Sequence, residues 1–322
     1  MRITNTMMAN NYLRDMRKNL NNLNTLNGQL TSGKEIRRPS DNPFKVARSM
    51  QLHTDINANK QYNNNITDTI NFLDATDTAL NQLTNVMQRT RELMVSAGNA
   101  AYGEDERKAI QEEIKQQTRE ISQILNTNFD GKYIFGGTKG TSKPTDVQNE
   151  ELVFVDKAGA KINIPNGDRN QIKMLSSDLV VEISQGVKIE YNVTAMEIVN
   201  FKSKEGKEID FSFLMKDIQY NLKSEDEKDM DKVIGENLRD LDSVISNLMQ
   251  IRGEVGAMQN RMESALEKNK DENLNMKELL SNNEDIDITE KTMEAAMVET
   301  VYIAALQTSA KVLPPTLMDY LR

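Results

Sequence analysis

One stretch, SGKEIRRPSDNP, Ser32 to Pro43, combines charged side chains that could bind or react with residues that turn the chain. Its cations are Lys34, Arg37 and Arg38, and they stand among two acids, two prolines and a glycine. The stretch could form a binding site, a catalytic loop or a corner between helices. It contains no cysteine or histidine nucleophile, so we predict no catalysis here. The three cations are not explained by a corner, and on their own they could be either a solvated surface or a contact for a partner.

Other residue types narrow the possible chemistry further. The chain has no cysteine, which excludes thiolate chemistry and disulfides, and its one histidine, His53, is too few for a histidine metal site. The acidic runs EDEKDMD and NNEDID lack the spacing and glycine of an EF-hand, so we interpret them as solvated helix starts. GGTKGTSKP lacks the spacing of a phosphate loop. We predict no catalytic residues, no metal and no cofactor.

Composition limits the partners. The 322-residue chain carries a net charge of −9, whereas a general nucleic-acid binder would be basic. No apolar run approaches the roughly 20 residues that span a bilayer, and the N-terminus has no apolar signal region. Aromatic residues make up 5 % of the chain. We expect long helices with one apolar face, no membrane partner and no nucleic-acid partner.

The first helix is predicted from about Met7 to Thr31. Its coiled-coil seam has a 3-4 spacing and consists of Leu13, Met16, Leu20, Leu23, Asn27 and Leu30. Gly33 suits the end of this helix because glycine adopts positive φ without steric cost. Asp41 or Asn42 can cap the next helix, with Pro43 at its first position. Glycine, prolines and caps therefore predict a corner.

Two further helices carry longer heptad patterns. The helix from about Pro43 to Gly98 repeats apolar residues every seven positions at Ile66, Leu73, Leu80, Met87 and Met94. The pattern resumes near Ser224 and continues with Ile234, Leu241, Leu248, Val255 and Met262. Such long patterns are typical of an elongated antiparallel helical coiled-coil rod.

Shorter elements complete the predicted fold, which is mainly α with a small β-rich insertion. A helix is expected from Glu104 to Asn128, and a hairpin around Gly186. A last helix, capped by Asp287, carries Met293, Met297, Val301, Ala304 and Thr308. We expect three domains: a terminal coiled coil, a long-helix rod and a β-rich outer domain. Their ranges are 1–40 with 286–322, 41–135 with 221–285, and 136–220.

Four motifs resemble the bacterial flagellin family, and they cover both ends of the chain. They are QLTSGKEIRRPSDNPFKVARSM, VMQRTRELMVSAGNA, IRGEVGAMQNRMESAL and the C-terminal TLMDYLR. Within the family, the start MRITNTMMANNYL, the segment IRRPSDNP and NTNFDGKYIFGGTKGTSKP are most similar to the hook-filament junction branch, hook-associated protein three.

The resemblance implies a structural, extracellular part of the bacterial flagellum with no enzymatic activity. It implies an adaptor layer that joins the hook, through the first hook-associated protein, to the filament. Implied partners are that protein, flagellin, copies of this chain in a ring or helical layer, the type III export apparatus and an export chaperone. Before export the chain would be cytoplasmic. The alternatives are a filament flagellin with a short outer domain and a cytosolic coiled-coil scaffold.

Both terminal helices carry narrow apolar rows, so we expect them to be marginal alone and to order when subunits assemble. Residues 1–40 hold seven basic and two acidic side chains, a charge that could steer docking. We predict subunit contacts at Leu13, Leu20, Leu23, Leu30, Lys34, Arg37, Arg38, Gln88, Arg89, Arg91, Glu92, Arg252, Gln259, Asn260, Arg261, Met297, Val301 and Ala304.

Overall fold

The computed structural model describes residues 5–98, 103–162, 169–203, 206–224 and 227–312. Two compact units divide the chain. Unit 1 combines Met1–Lys60 with Asp271–Arg322, and unit 2 is Gln61–Lys270. The division into three domains stays a prediction.

Helices dominate the described ranges. The predicted fold class, mainly α with a small β-rich insertion, is confirmed. The helices are α1 Asn5–Ser32, α2 Pro43–Ala97, α3 Glu104–Leu125, α4 Arg169–Leu175, α5 Ala195–Val199, α6 Phe211–Lys223, α7 Glu227–Lys232, α8 Leu238–Glu284 and α9 Ile288–Val312, with a π-helical turn at Val233–Asn237 before α8. Within these ranges no helix has a stretch both long and apolar enough to cross a membrane.

The described strands form four two-stranded antiparallel sheets. Their strands are β1 Asn128–Phe129 with β2 Lys132–Tyr133, β3 Thr145–Gln148 with β4 Glu151–Phe154, β5 Val180–Ser184 with β6 Val187–Glu190, and β7 Asn200–Lys202 with β8 Glu208–Asp210. The predicted hairpin is β5–β6, which turns at Gly186 with φ +75° and has a bulge between Glu182 and Ser184.

Local capping explains two helices that interrupt these strands. Thr194 and Glu197 form a reciprocal capping box at the start of α5. Asp210 accepts hydrogen bonds from the backbone of Ser212 and Phe213 at the start of α6. Burial of Glu197 raises the pKa of its carboxyl, because desolvation disfavours the charged form.

The core of unit 2 contains the heptad positions of α2 and α8 together with apolar residues of α3, α6 and the insertion. The five predicted residues of α2 are fully buried, as are Leu241, Leu248, Val255 and Met262 of α8. Ile234 is the exception, at 39 % exposed, because Val233 takes the buried place. Val233 and Leu241 are eight residues apart rather than seven, since the π-turn adds one residue to the helical repeat.

A glycine loop closes the start of the insertion. Gly137, in the segment YIFGGT, has φ +57° and lies against the last turn of α4. Thr138 donates two hydrogen bonds to the carbonyl of Met174, from its backbone N–H and its hydroxyl, each 3.0 Å. A Cβ on Gly137 would lie 2.5 Å from that same carbonyl oxygen. Both the backbone angle and the close approach therefore require glycine here.

Candidate functional site

The predicted corner between α1 and α2 is confirmed in unit 1. Gly33 ends α1 with φ +71°. The carboxylate of Asp41 accepts hydrogen bonds from the backbone N–H groups of Arg38, at 2.9 Å, and Arg37, at 3.3 Å. Asn42 caps α2 by accepting a 3.2 Å hydrogen bond from the backbone of Lys45. Side chains of the corner itself therefore satisfy backbone donors that neither helix can pair.

A second corner, between α8 and α9, is hydrogen-bonded to the first. The backbone N–H of Glu35 donates to the carbonyl of Glu284, at 2.6 Å, and that of Ile286 donates to the carbonyl of Gly33, at 3.1 Å. The side chain of Glu284 is buried and pairs with the ammonium of Lys34. Its other oxygen lies 3.2 Å from Nε2 of His53. Lys34 is thus engaged within the chain, and no local pattern indicates that Glu284, 250 positions away, is its partner.

Arg37 and Arg38 differ from Lys34, whose ammonium pairs with Glu284. Both are exposed, and no carboxylate in the described ranges lies within ion-pair distance of either guanidinium. They line an open cavity of about 400 Å³, together with Asn24, Thr25, Gln29, Glu35 and Asp41. The guanidinium of Arg37 lies over Gly28, where a Cβ would come within 2.0 Å of Nη1. Two cations are therefore available at this surface.

The remaining acids of the second corner have structural partners. Asp287 caps α9, as predicted, by accepting hydrogen bonds from the backbone of Thr289 and Glu290. Asp285 accepts a 2.6 Å hydrogen bond from the hydroxyl of Ser281.

Of the other acidic run, EDEKDMD, residues 225–226 lie outside the described residues. Within the ranges that are described, no three His, Asp or Glu side chains come together as metal ligands would.

The helices α1 and α9 pack side by side in unit 1. They are antiparallel, because the hydroxyl of Tyr12, near the start of α1, donates to the carbonyl of Ala305, near the end of α9. At the opposite end of the pair, the backbone of Lys34 forms an antiparallel β-bridge with that of Asp285. The less exposed residues of each helix define the packed faces. On α1 this facing row is Tyr12, Met16, Asn19, Leu23 and Leu26. On α9 the facing row is Lys291, Ala295, Val298, Tyr302 and Ala305.

These facing rows differ from the predicted seams. Leu13 and Leu20 were predicted inside the seam of α1, but they remain 43 % and 40 % exposed. On α9 the predicted apolar row is on the exposed surface, with Met297 at 68 % and Val301 at 50 %. The heptad spacing was right, but each helix has apolar residues on more than one face and the partner covers only one of them.

Polar residues that interrupt the heptads of unit 2 bond to one another across α2 and α8. Arg252 donates to Asp77, at 3.0 Å, and to Asn81, at 3.1 Å. Gln259 donates to Asp74 at 2.7 Å, and Arg91 donates to Asp242 at 2.7 Å. The order of these pairs along the chain makes α2 and α8 antiparallel in this unit.

Arg89 bonds instead to α3, at 2.7 and 2.9 Å from a carboxylate oxygen of Glu113, and also to Glu92. The hydrogen bond to Glu113 raises the pKa of the Arg89 guanidinium. Gln88, Asn260 and Arg261 are exposed. The candidate contacts in unit 2 thus form two groups: residues whose side chains are hydrogen-bonded within the chain, and residues whose side chains are exposed. A role in subunit contact stays a prediction for both groups.

We expect the Asp77–Arg252 pair to show a measurable but small coupling. In a double-mutant cycle with Asp77→Ala and Arg252→Ala, the coupling free energy should be about 0.5–1 kcal/mol, because both side chains are partly solvated. Urea unfolding of the four proteins measures it, and it should shrink at 1 M salt. A coupling of zero at low salt would show that the pair does not help to hold α2 and α8 in register.

Comparison with known proteins matches two regions, one toward each end of the chain. The bacterial flagellin N-terminal helical region matches residues 3–140, and the bacterial flagellin C-terminal helical region matches residues 238–321. The flagellin of Clostridium tyrobutyricum is 36 % identical over 138 residues, and the flagellin of Bacillus subtilis 26 % over 271 residues. The flagellar filament 41 kDa core protein of Borreliella burgdorferi is 29 % identical over 204 residues.

Coverage differs among these relatives. The matches include 42 % of this chain for the clostridial protein, 63 % for the Borreliella protein and 83 % for the Bacillus protein. They span 37 %, 60 % and 81 % of those proteins' own lengths.

Solved structures share the fold. A putative flagellar hook-associated protein from Vibrio parahaemolyticus superposes with a TM-score of 0.63 at 19 % identity, covering 76 % of this chain and all of that one. Flagellar hook associated protein-3 from Legionella pneumophila gives 0.61 at 15 % identity, covering 72 % and 98 %.

The two flagellin regions together cover more than half of the sequence and contain both pairs of helices, α1 with α9 and α2 with α8. The chain belongs to the bacterial flagellin family.

Proposed function

We propose that this chain is a structural, non-enzymatic subunit of the bacterial flagellum that forms an adaptor layer between hook and filament. Membership of the flagellin family supports the structural role. The junction position is supported by the fold shared with hook-associated proteins and by the IRRPSDNP and YIFGGT segments.

The observation that carries this proposal is the surface of α9. Exposed apolar side chains occur on several sides of the helix: Ile288, Met293, Met297, Val301, Ile303 and Leu306, each at least 45 % exposed. Exposed apolar side chains in this number mark a surface that neighbouring chains bury. Because α1 covers just one face of α9, we expect neighbouring subunits to cover the exposed apolar side chains.

Assembly is then coupled to ordering of the terminal helices. Subunits would leave the cell through the type III apparatus, held beforehand by a chaperone, and α1 and α9 would gain their full stability on packing against neighbours. Those neighbours are the first hook-associated protein on one side, flagellin on the other, and copies of this chain within the layer. Strong amide-exchange protection of residues 7–31 and 290–312 in the monomer would contradict ordering on assembly.

Isolated hooks provide the test. Purified chain is added to basal bodies that end in a hook carrying the first hook-associated protein, and the products are imaged. A junction subunit should stop after one layer and then support growth of added flagellin. A chain absent from sheared extracellular flagella, or a deletion strain with normal motility, would overturn the proposal and favour a cytosolic scaffold.

A filament flagellin with a short outer domain is the second candidate. It is favoured by the sequence comparison, in which the quoted relatives are flagellins and a filament core protein. The same hook experiment separates the two functions, because a flagellin would continue into long fibres instead of a single layer.

The unpaired cations of the corner give a further prediction. Arg38→Glu is expected to reduce incorporation at the hook by roughly tenfold, because reversing a charge at an interface with an acidic surface creates repulsion. The free energy of unfolding should change by less than about 0.5 kcal/mol, since Arg38 is exposed. Lys188→Glu, an equal charge reversal at an exposed strand position, is the control and should incorporate normally. Equal incorporation of both variants would make Arg38 an ordinary solvated residue.

A further inference from the structure

An open cavity of about 790 Å³ lies in unit 2, between the middle of α2 and the strands of the insertion. Four of its lining residues are aromatic: Phe72 on α2, Phe129 and Tyr133 on the β1–β2 hairpin, and Tyr191, directly after β6. The chain has eight phenylalanines, eight tyrosines and no tryptophan, so four of its sixteen aromatic side chains line one cavity. The volume is within the range of about 300–1,000 Å³ that is typical of ligand pockets.

The aromatic rings of this cavity meet edge to face. The ring centroid of Phe72 lies 6.2 Å from that of Phe129 and 5.2 Å from that of Tyr191, with interplanar angles of 87° and 83°. These three side chains pack against the core of unit 2, yet each of them stays partly exposed. Perpendicular rings enclose a corner instead of forming a flat platform, so the site suits a small ligand better than a long chain.

Polar side chains surround the rings. Asp68 and Asn71 of α2 and Asp130 and Lys132 of the hairpin line the same cavity and are exposed. None of these four side chains forms a hydrogen bond or ion pair with another residue in the described ranges. The rim therefore offers two carboxylates, an amide and an ammonium group to a ligand.

Tyr191 adds a hydroxyl that is partly removed from water. Desolvation raises the pKa of this phenol, and within the described ranges its hydroxyl has no hydrogen-bond partner. A tyrosine hydroxyl that is partly buried usually finds such a partner. A ligand in the cavity that Tyr191 lines would supply one.

The chemistry of the lining favours a neutral saccharide over other small ligands. Aromatic faces carry partial negative charge, which attracts the C–H face of a sugar ring. Sugar hydroxyls both donate and accept, and the rim contains groups of both kinds. Two carboxylates against one ammonium repel phosphate or sulfate, whereas the ammonium of Lys132 opposes a cationic ligand.

We propose that this cavity binds one or two rings of a neutral saccharide. The C–H face of a sugar ring lies against the aromatic corner of Phe72, Phe129 and Tyr191, and its hydroxyls bond to Asp68, Asn71 and the hydroxyl of Tyr191. This inference goes beyond the proposed function and does not depend on it, because the cavity lies wholly within unit 2.

Saturation-transfer-difference NMR on the full-length chain tests this binding. The probes are three neutral disaccharides, maltose, cellobiose and N,N′-diacetylchitobiose, with a sulfated heparin disaccharide for comparison, each at millimolar concentration. At least one neutral sugar should bind, and transfer should be strongest to the C–H protons of one ring face. Absence of transfer to all three neutral sugars would overturn the inference, as would tighter binding of the sulfated one.

Two variants locate the bound sugar. Asn71→Ala and Tyr191→Phe each remove one hydrogen-bonding group and should weaken binding about fivefold, the net worth of one hydrogen bond. The free energy of unfolding should change little, since Asn71 is exposed and phenylalanine keeps the ring of Tyr191.

Asn64→Ala is the matched control, because Asn64 is an equally exposed asparagine of α2 that does not line the cavity. It should bind the sugar like the natural chain. If both site variants bind unchanged, or if Asn64→Ala weakens binding as much as they do, the sugar does not occupy this cavity. The four aromatic side chains would then only extend the core beneath the hairpins.

Discussion

Met297→Asp is expected to abolish incorporation into the flagellum while leaving the isolated chain folded. Met297 is 68 % exposed, so aspartate in the monomer costs little, within about 0.5 kcal/mol of unfolding free energy. In the assembly the same carboxylate would be buried without a partner. The loss of methionine burial, about 1.5–3 kcal/mol, adds to the desolvation of an unpaired charge. Since every subunit carries the change, every contact in the layer is weakened.

The measurement compares Met297→Asp with Met297→Leu. Leucine conserves the apolar character and nearly the volume of methionine, so it should incorporate like the natural chain. Circular dichroism and urea unfolding establish that both variants fold, and quantitative blots of sheared flagella measure incorporation. If Met297→Asp incorporates as well as Met297→Leu, the exposed surface of α9 is not a subunit contact.

Gly137→Ala is expected to destabilise unit 2 by roughly 2–5 kcal/mol. A non-glycine residue at positive φ costs about 1–2 kcal/mol. The added Cβ would also lie 2.5 Å from the carbonyl oxygen of Met174 and 2.9 Å from that of Leu175. Both atoms belong to backbone, so relief requires a shift of the end of α4, at the cost of overpacking. The hydrogen bonds from Thr138 to Met174 would be disturbed by the same shift.

Gly131→Ala is the matched control for this prediction. Gly131 has φ +76°, but a Cβ there meets nothing within 4 Å. It should therefore lose only the conformational term, about 1–2 kcal/mol. Urea unfolding of both variants isolates the steric term as their difference. Equal destabilisation would mean that the loop moves away from α4 at little cost.

Local patterns sufficed for much of this fold. The seven-residue spacing identified the buried residues of α2 and most of those of α8, because periodicity along one helix depends only on its own geometry. Gly33, Asn42 and Asp287 were recognised as helix ends for a similar reason. Their side chains or backbone angles act within three residues of their own position.

Contacts between residues far apart in the chain could not be predicted from the same patterns. The buried carboxylate of Glu284 reaches Lys34 and His53, which are 250 and 231 positions away in the chain. Asp77 and Arg252 interrupt the apolar rows of two separate helices, and only the structure shows that they bond to each other. The extra residue of the π-turn moved Ile234 out of the core and Val233 into it.

By itself, the sequence determined the long helices at both ends of the chain and that their spacing suits helix–helix packing. It missed the helices α4, α5 and α6 of the insertion, and it placed the end of α3 at Asn128, whereas the helix ends at Leu125. Only the tertiary structure decided which apolar row of each terminal helix is covered. Leu13 and Leu20 belong to the same heptad pattern as Leu23. However, α9 packs on the face that contains Tyr12 and Asn19, so Leu13 and Leu20 stay exposed. A heptad pattern determines which faces of a helix are apolar. Which of these faces becomes buried depends on the shape and direction of the helix that packs against it.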